Sequence, residues 1–181
     1  MSMTSSTQLA TLAGGCYWCL EAFFQRIKGI QTVKSGYSGG HVDNPTSQQV
    51  YTMTTGHAEV VQLTFDPDLI TYNEILEIFF VMHDPTTLNR QGPDIGNIYR
   101  SVVFYHNKVQ EQIARDLIKS FAGKLSSDPV VTQLEAFEKF WPADENSQNF
   151  YNNNRNAGYC QVIIDPKIQK LRQKFAQKFI E

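Results

Sequence analysis

Apolar residues along this chain switch repeatedly between strand-like and helix-like spacing, and the order of the switches limits the folds open to it. Leu9 to Ala13 is a short apolar run that ends at Gly14-Gly15. Leu20, Phe23, Phe24 and Ile27 then recur at helical spacing, and Gly29 ends the pattern. Ile30 to Tyr37 reads as a strand. A polar stretch from Ser38 to Gly56, rich in Gly, Asn, Thr and Ser, reads mainly as loop. Val60 to Phe65 alternates as a strand until Asp66-Pro67 breaks it. Tyr72, Ile75, Leu76, Phe79 and Phe80 mark an amphipathic helix. A second long loop, Asp84 to about Asn97, leads to a strand at Ser101 to His106. Val109, Ile113, Leu117 and Phe121 then mark a helix ending at Gly123. The order β-α-β-β-α-β predicts an α+β fold, a two-layer α/β sandwich with a ferredoxin-like split βαβ core. Strands at Val130 to Phe137 and Gln161 to Ile164, and a closing helix through Ile168, Leu171, Phe175 and Phe179, form its C-terminal extension.

A chain of 181 residues, 41 % of them apolar, can bury a real core and suits one domain over residues 1–181. The formal charge is −2 with both signs interspersed and no basic stripe, which argues against nucleic acid as a partner. Met1 to Gln8 is polar and does not read as a signal peptide. No apolar run approaches the roughly 20 residues that cross a bilayer. The chain therefore reads as soluble and cytoplasmic, with no membrane partner. Three cysteines do not make a disulfide scaffold.

The chemistry concentrates at Gly14-Gly15-Cys16-Tyr17-Trp18-Cys19, between the first strand and the first helix. Two glycines allow a tight turn. Cys16 then falls at a helix start, where unpaired N–H groups and the dipole favour an anion. The thiolate is the nucleophilic form of cysteine, so position alone predicts a reactive sulfur. The competing reading is a small buried cysteine. Cys16 and Cys19 are spaced C-x-x-C, which also fits a redox pair or half of a zinc site. Zinc would need Cys160 and one of His41, His57, His83 or His106, none spaced as a second ligand pair. A general thiol-disulfide oxidoreductase stays open, although two large aromatics beside a nucleophile look more like pocket walls.

Further motifs follow in order. They include Ser35-Gly36-Tyr37, Asn44-Pro45-Thr46, Thr55-Gly56-His57-Ala58-Glu59, His83 to Gly92, Asp94 with Tyr99-Arg100-Ser101, Trp141-Pro142-Ala143 and Gly158-Tyr159-Cys160. Together they resemble the peptide-methionine (S)-S-oxide reductases, the A-type methionine sulfoxide reductases. The resemblance implies a single catalytic domain that reduces methionine S-sulfoxide, free or in oxidised proteins. Cys16 attacks the sulfoxide sulfur and becomes a sulfenic acid. A second cysteine condenses with it to a disulfide, and thioredoxin reduces that disulfide. The resemblance makes Glu59 the acid, placed just before a strand. It makes Tyr99 the hydroxyl on the sulfoxide oxygen, Asp94 an ordering residue, and Tyr17 and Trp18 the aromatics that hold the substrate methyl group. Burial would raise the Glu59 pKa enough to keep its proton near neutral pH. The bland alternatives are a solvated carboxylate, a core tyrosine, a loop aspartate and helix-face packing. His57 reads as structural.

Cys160 matches a resolving cysteine of that family, and Cys19 stands where a glycine is common. Cys160 is preferred, because thiolate exchange needs access and a mobile C-terminal segment supplies it. Two other departures stand out. Ser47 replaces a tyrosine usual after Asn-Pro-Thr, with Tyr51 four residues on as its candidate substitute. Ser147-Gln148 replaces a His-Gln pair. No metal or cofactor motif is visible, and a monomer is expected.

Overall fold

The structure is a computed structural model that describes residues 6–180, so the polar stretch read at Met1 to Gln8 lies mostly outside it. In chain order its elements are β1 (Gln8–Ala13), α1 (Tyr17–Phe24), β2 (Ile30–Ser38), α2 (Ser47–Tyr51), β3 (Ala58–Phe65), α3 (Tyr72–Met82) and the hairpin strands β4 (Arg90–Gln91) and β5 (Asp94–Ile95). There follow β6 (Val102–Tyr105), α4 (Lys108–Leu117), α5 (Gly123–Leu125), β7 (Gln133–Ala136), β8 (Trp141–Pro142), α6 (Phe150–Asn153) and α7 (Asp165–Lys174).

Six strands form one sheet in the order β7-β6-β1-β3-β2-β8. β1 is antiparallel to both β3 and β6, and β2 is antiparallel to β3. β1 and β2 therefore run the same way with β3 between them, which requires the crossover that α1 supplies. β7 adds parallel to β6, and β8 pairs antiparallel with β2. A central sheet carrying helices is the mixed α/β class expected.

Alternation along β3 sends Glu59, Val61, Leu63 and Phe65 to one face and Ala58 and Val60 to the other. The first face packs on Leu20, Phe23, Phe24, Ile75 and Phe79 of α1 and α3 in the main core. The second joins Ala13, Val102 and Phe104 in a smaller cluster covered by Phe137 and Phe140. Each buried phenylalanine contributes roughly 1.5–3 kcal/mol through area removed from water. Gly36 is needed where β8 docks, because a Cβ there would lie 2.4 Å from the Trp141 carbonyl oxygen.

Several expectations are corrected. The stretch read as loop at 38–56 contains α2, started by a capping box in which Thr46 and Gln49 bond each other's backbone. The helix expected to stop at Gly123 runs on through a π-turn at Ile118–Ala122 into α5. The second long loop folds in part as the β4-β5 hairpin. Gln161 to Ile164 is not a strand: Cys160–Ile164 is a π-turn continuous with α7. Ile164, Ile168 and Leu171 keep one helical face buried, and that packing overrides the strand preference of a Val-Ile-Ile run. Among the described residues, no helix is long and apolar enough to cross a membrane.

Candidate active site

The turn before α1 is held by what glycine lacks. Gly15 has φ +93°, and a Cβ there would sit 2.6 Å from the Gln91 side chain. Gln91 clasps Asp84, accepting from its N–H at 2.9 Å and donating to its carbonyl at 3.0 Å. Cys16 follows as the N-cap residue of α1, in extended conformation. It lies at the helix start as expected, with a hydrogen bond from the Trp18 backbone to its sulfur.

The two thiols of the C-x-x-C pair share one environment. Burial pushes the Cys16 thiol well up, helped by its hydrogen bond to Cys19 and by Glu59. The same hydrogen bond, opposed by burial and aided by Lys167 and the Tyr159 hydroxyl, brings Cys19 down to about 7. The pair titrates as a unit, with one proton leaving readily and the second reluctantly. Helix position points to a reactive sulfur at Cys16, and burial works against its thiolate.

Glu59 does not precede β3 but is its second residue, on the helix-covered face, and is 1 % exposed. Its Oε2 accepts the Tyr17 backbone N–H at 3.0 Å. Burial raises it to about 8, with Asp94 and Cys19 adding to the rise and the Tyr17 N–H and Tyr51 hydroxyl working against it. It therefore holds its proton at neutral pH, beside the cysteine pair.

Tyr99 closes a short 3-10 turn after β5. Burial raises its hydroxyl, and the fields of Glu59, Asp94, Cys16 and Tyr51 all reach it. Asp94 opens β5 and accepts the Tyr159 hydroxyl at 2.7 Å. Tyr159 also meets Cys19 Sγ at 3.6 Å. A cavity of about 190 Å³ is lined by Gly14, Cys16, Cys19, Asp94, Tyr159 and Lys167.

The aromatics divide. Tyr17 is fully buried; its hydroxyl meets that of Tyr37 at 3.1 Å and donates to Ser147 at 3.3 Å. Trp18 is half-buried and stacks face to face on Phe150 with ring centroids 3.6 Å apart. The edge of Tyr159 meets it at 5.8 Å. The Trp18 indole N–H is buried without a partner among the described residues.

The late segment supplies residues that sequence reasoning passed over. Phe150 is one, and Tyr159 is another, noticed only as part of a motif. Buried Glu21 is a third: it accepts from Ser35 Oγ at 3.0 Å and from the Phe150 N–H at 3.1 Å. A lone carboxylate inside Tyr-Trp-Cys-Leu-Glu-Ala-Phe-Phe was the available signal. Gln148, of the departing Ser-Gln pair, accepts from the Ser35 N–H at 2.9 Å and donates to the Ser35 and Ala143 carbonyls. Ser47 donates to Asp144 at 3.3 Å, away from Glu59. His57 accepts from the Gly40 N–H at 3.0 Å and bonds the Val42 carbonyl at 2.7 Å, a structural clasp. Cys160 is fully buried at the start of the π-turn, and all three cysteines are free thiols. Among the described residues, no three His, Cys, Asp or Glu side chains group as a metal site.

A buried thiol pair beside a protonated carboxyl defines a thiol-dependent oxidoreductase site. The comparisons make this particular. The peptide methionine sulfoxide reductase family matches residues 8–179. A peptide methionine sulfoxide reductase MsrA of Sulfolobus acidocaldarius is 53 % identical over 94 % of this chain and 97 % of its own length. Reduced Mxr1 of Saccharomyces cerevisiae superposes with a TM-score of 0.79 at 30 % identity, over 87 % of this chain and 91 % of that one. Mxr1 in complex with Trx2 shares the fold, with a TM-score of 0.56 at 24 % identity over 81 % of this chain and 86 % of that one. The chain belongs to the peptide methionine sulfoxide reductase family and is a methionine sulfoxide reductase, an oxidoreductase.

Proposed function

We propose that the enzyme reduces the S epimer of methionine sulfoxide, free or in oxidised proteins, with Cys16 as nucleophile and Glu59 as general acid. The observation that carries this reading is Glu59: a buried carboxyl, proton-bearing at neutral pH, whose oxygen is tied to the backbone N–H next to Cys16. A sulfoxide oxygen leaves sulfur only as it gains a proton, and an acid with a pKa near the working pH supplies one. Tyr99 donates to that oxygen, Asp94 orders the site through Tyr159, and Tyr17 and Trp18 wall the pocket for the methyl group. Contacts between aromatic rings and sulfur favour such a pocket.

The resulting Cys16 sulfenic acid meets Cys19 first. Residues three apart at a helix start lie within disulfide reach, and Cys16 and Cys19 line the same cavity. Cys160 was preferred for access, yet it is fully buried on a helical segment. It serves as the next thiol, passing the disulfide outward once the π-turn opens. Thioredoxin is the reductant in this reading, and the solved complex of Mxr1 with Trx2 is the support for it. The reading extends to a single catalytic domain working as a monomer in a reducing, cytoplasmic compartment.

The test is to give the reduced enzyme each epimer separately, without reductant. One methionine per enzyme from the S epimer only, with two thiols lost, is expected. Peptide mapping should find Cys16 joined to Cys19. Release of methionine from the R epimer, or from neither, would overturn the reading.

A further inference from the structure

Cys19 is better equipped to hold negative charge than any other sulfur in the structure. It shares a cavity with Cys16 at the N-cap of α1, Tyr159 in the late segment, Lys167 on α7 and Asp94 on β5, and the charges of Cys160 and Glu59 also reach it. Of these, the Cys16 S–H, the Tyr159 O–H at 3.6 Å and the Lys167 ammonium favour a thiolate there. Tyr159 has one hydroxyl hydrogen and two acceptors within reach. With Cys19 protonated, that hydrogen goes to Asp94 at 2.7 Å and the Cys19 S–H points at the phenol oxygen. With Cys19 ionised, the hydrogen turns to the sulfur. The hydroxyl thus follows the charge on Cys19 without moving the ring, which is fixed against Trp18.

We propose that Cys19 acts before any disulfide forms: its thiolate is the base that takes the Cys16 proton as Cys16 attacks the sulfoxide. This rests on Cys16 being the nucleophile and Glu59 the acid. The step balances. The Cys16 S–H proton passes to Cys19, the Cys16 sulfur bonds the substrate sulfur, and Glu59 gives its proton to the sulfoxide oxygen. Oxygen transfer then leaves a Cys16 sulfenic acid, methionine, a Cys19 thiol and a Glu59 carboxylate. The sulfoxide sulfur is reduced by two electrons and Cys16 is oxidised by two. The Cys19 sulfur next attacks the sulfenic sulfur, its proton leaves with the hydroxyl as water, and the Cys16–Cys19 disulfide forms. A dithiol reductant returns two electrons and two protons, which restore the Cys16 thiol, the Cys19 thiolate and the Glu59 acid. One residue therefore serves as base and then as resolving thiol, because the first step converts it into the form that the second consumes.

The test is the rate of the first methionine released, by rapid quench without reductant. That step needs no resolving thiol, so a residue that only resolves leaves it unchanged. In Cys19→Ser it should slow by about a hundredfold or more at neutral pH, the low end of what a positioned base contributes. A first turnover as fast as wild type, with only the disulfide lost, would overturn the proposal. A second measurement needs less of the variants: titration of the thiolate ultraviolet absorbance. One thiolate per enzyme should form near pH 7 in the wild type and at somewhat higher pH in Cys16→Ser, which lacks the Cys16 S–H, and be missing in Cys19→Ser. The opposite pattern, with the signal lost in Cys16→Ser and kept in Cys19→Ser, would also overturn it. If the wild type releases no methionine, the reading of Cys16 and Glu59 fails, and the titration still decides which sulfur carries the charge.

Discussion

The site has two halves held by different forces. Cys16, Cys19 and Glu59 stand on α1 and β3, among fully buried Phe23, Phe24, Val61 and Leu63. The wall opposite, residues 141–160, is fastened largely by polar clasps: Gln148 on Ser35, the Phe150 N–H on Glu21, and Tyr159 on Asp94. The first half keeps its geometry for as long as the core is folded. The second can open by giving up those hydrogen bonds, each worth roughly 0.5–1.5 kcal/mol net, together with the Trp18–Phe150 stack and the burial of Tyr151. In the proposed reaction, the groups that move protons and electrons occupy the rigid half, and those that admit a substrate or release a disulfide occupy the other.

Substitutions can break or sharpen this contrast. The largest effect should come from Cys16→Ser: methionine formation falls to background while unfolding free energy stays within about 1 kcal/mol of wild type. Next, Glu59→Gln should lower kcat/KM by about 10²–10³. Wild-type activity should fall as pH rises through about 8, where Glu59 loses its proton, and that limb should vanish in the variant. Stability changes with the same sign. Below the ordinary carboxyl value Glu59 is neutral folded and unfolded alike. From there up to about 8 only the folded state keeps the proton, so stability drops as pH rises. Urea unfolding across that window should show the slope in wild type and a shallower one in Glu59→Gln.

For the clasped half, Glu21→Ala should cost about 1–3 kcal/mol, because it leaves buried donors unpaired. Limited proteolysis should then cut within 141–160 before the sheet unfolds. Cleavage that coincides with global unfolding would mean that the halves are one cooperative unit. The smallest effect is expected from Tyr51→Phe, which removes a hydroxyl from Glu59 but leaves Tyr99 in place: a loss of a few-fold in kcat, with KM nearly constant. A loss as large as that of Glu59→Gln would make Tyr51 an equal partner of the acid.

Much of the rigid half was legible in the residues. The apolar spacing located β1, α1, β2 and β3, and the Gly14-Gly15 turn placed Cys16 at a helix start. What escaped was context. Glu59 read as lying outside its strand because a carboxylate interrupts the apolar alternation, which is also why its pKa moves. α2 is five residues long, too short for any period, and only Thr46 and Gln49 announced it. Gln161 to Ile164 reads as a strand because a Val-Ile-Ile run favours one, and Asp165-Pro166 follows it directly. Here the π-turn before it alters the hydrogen-bond register, so Pro166 sits in the first turn of α7, where its missing N–H is not needed. The clasps of the late segment join residues more than a hundred positions apart and leave no periodic trace.

The contact between Gly15 and Gln91 also bears on how the molecule comes into being. The turn that presents Cys16 is shaped against a side chain from beyond β3 and α3. A nascent chain that has made only β1, α1 and β2 therefore has an ordinary, solvent-exposed cysteine pair. The thiols change character only once β3, the β4-β5 hairpin and the late segment have arrived around them. Alkylation of Cys16 and Cys19 during refolding would serve as a clock for that arrival, one that keeps the chemistry silent until most of the chain has collapsed.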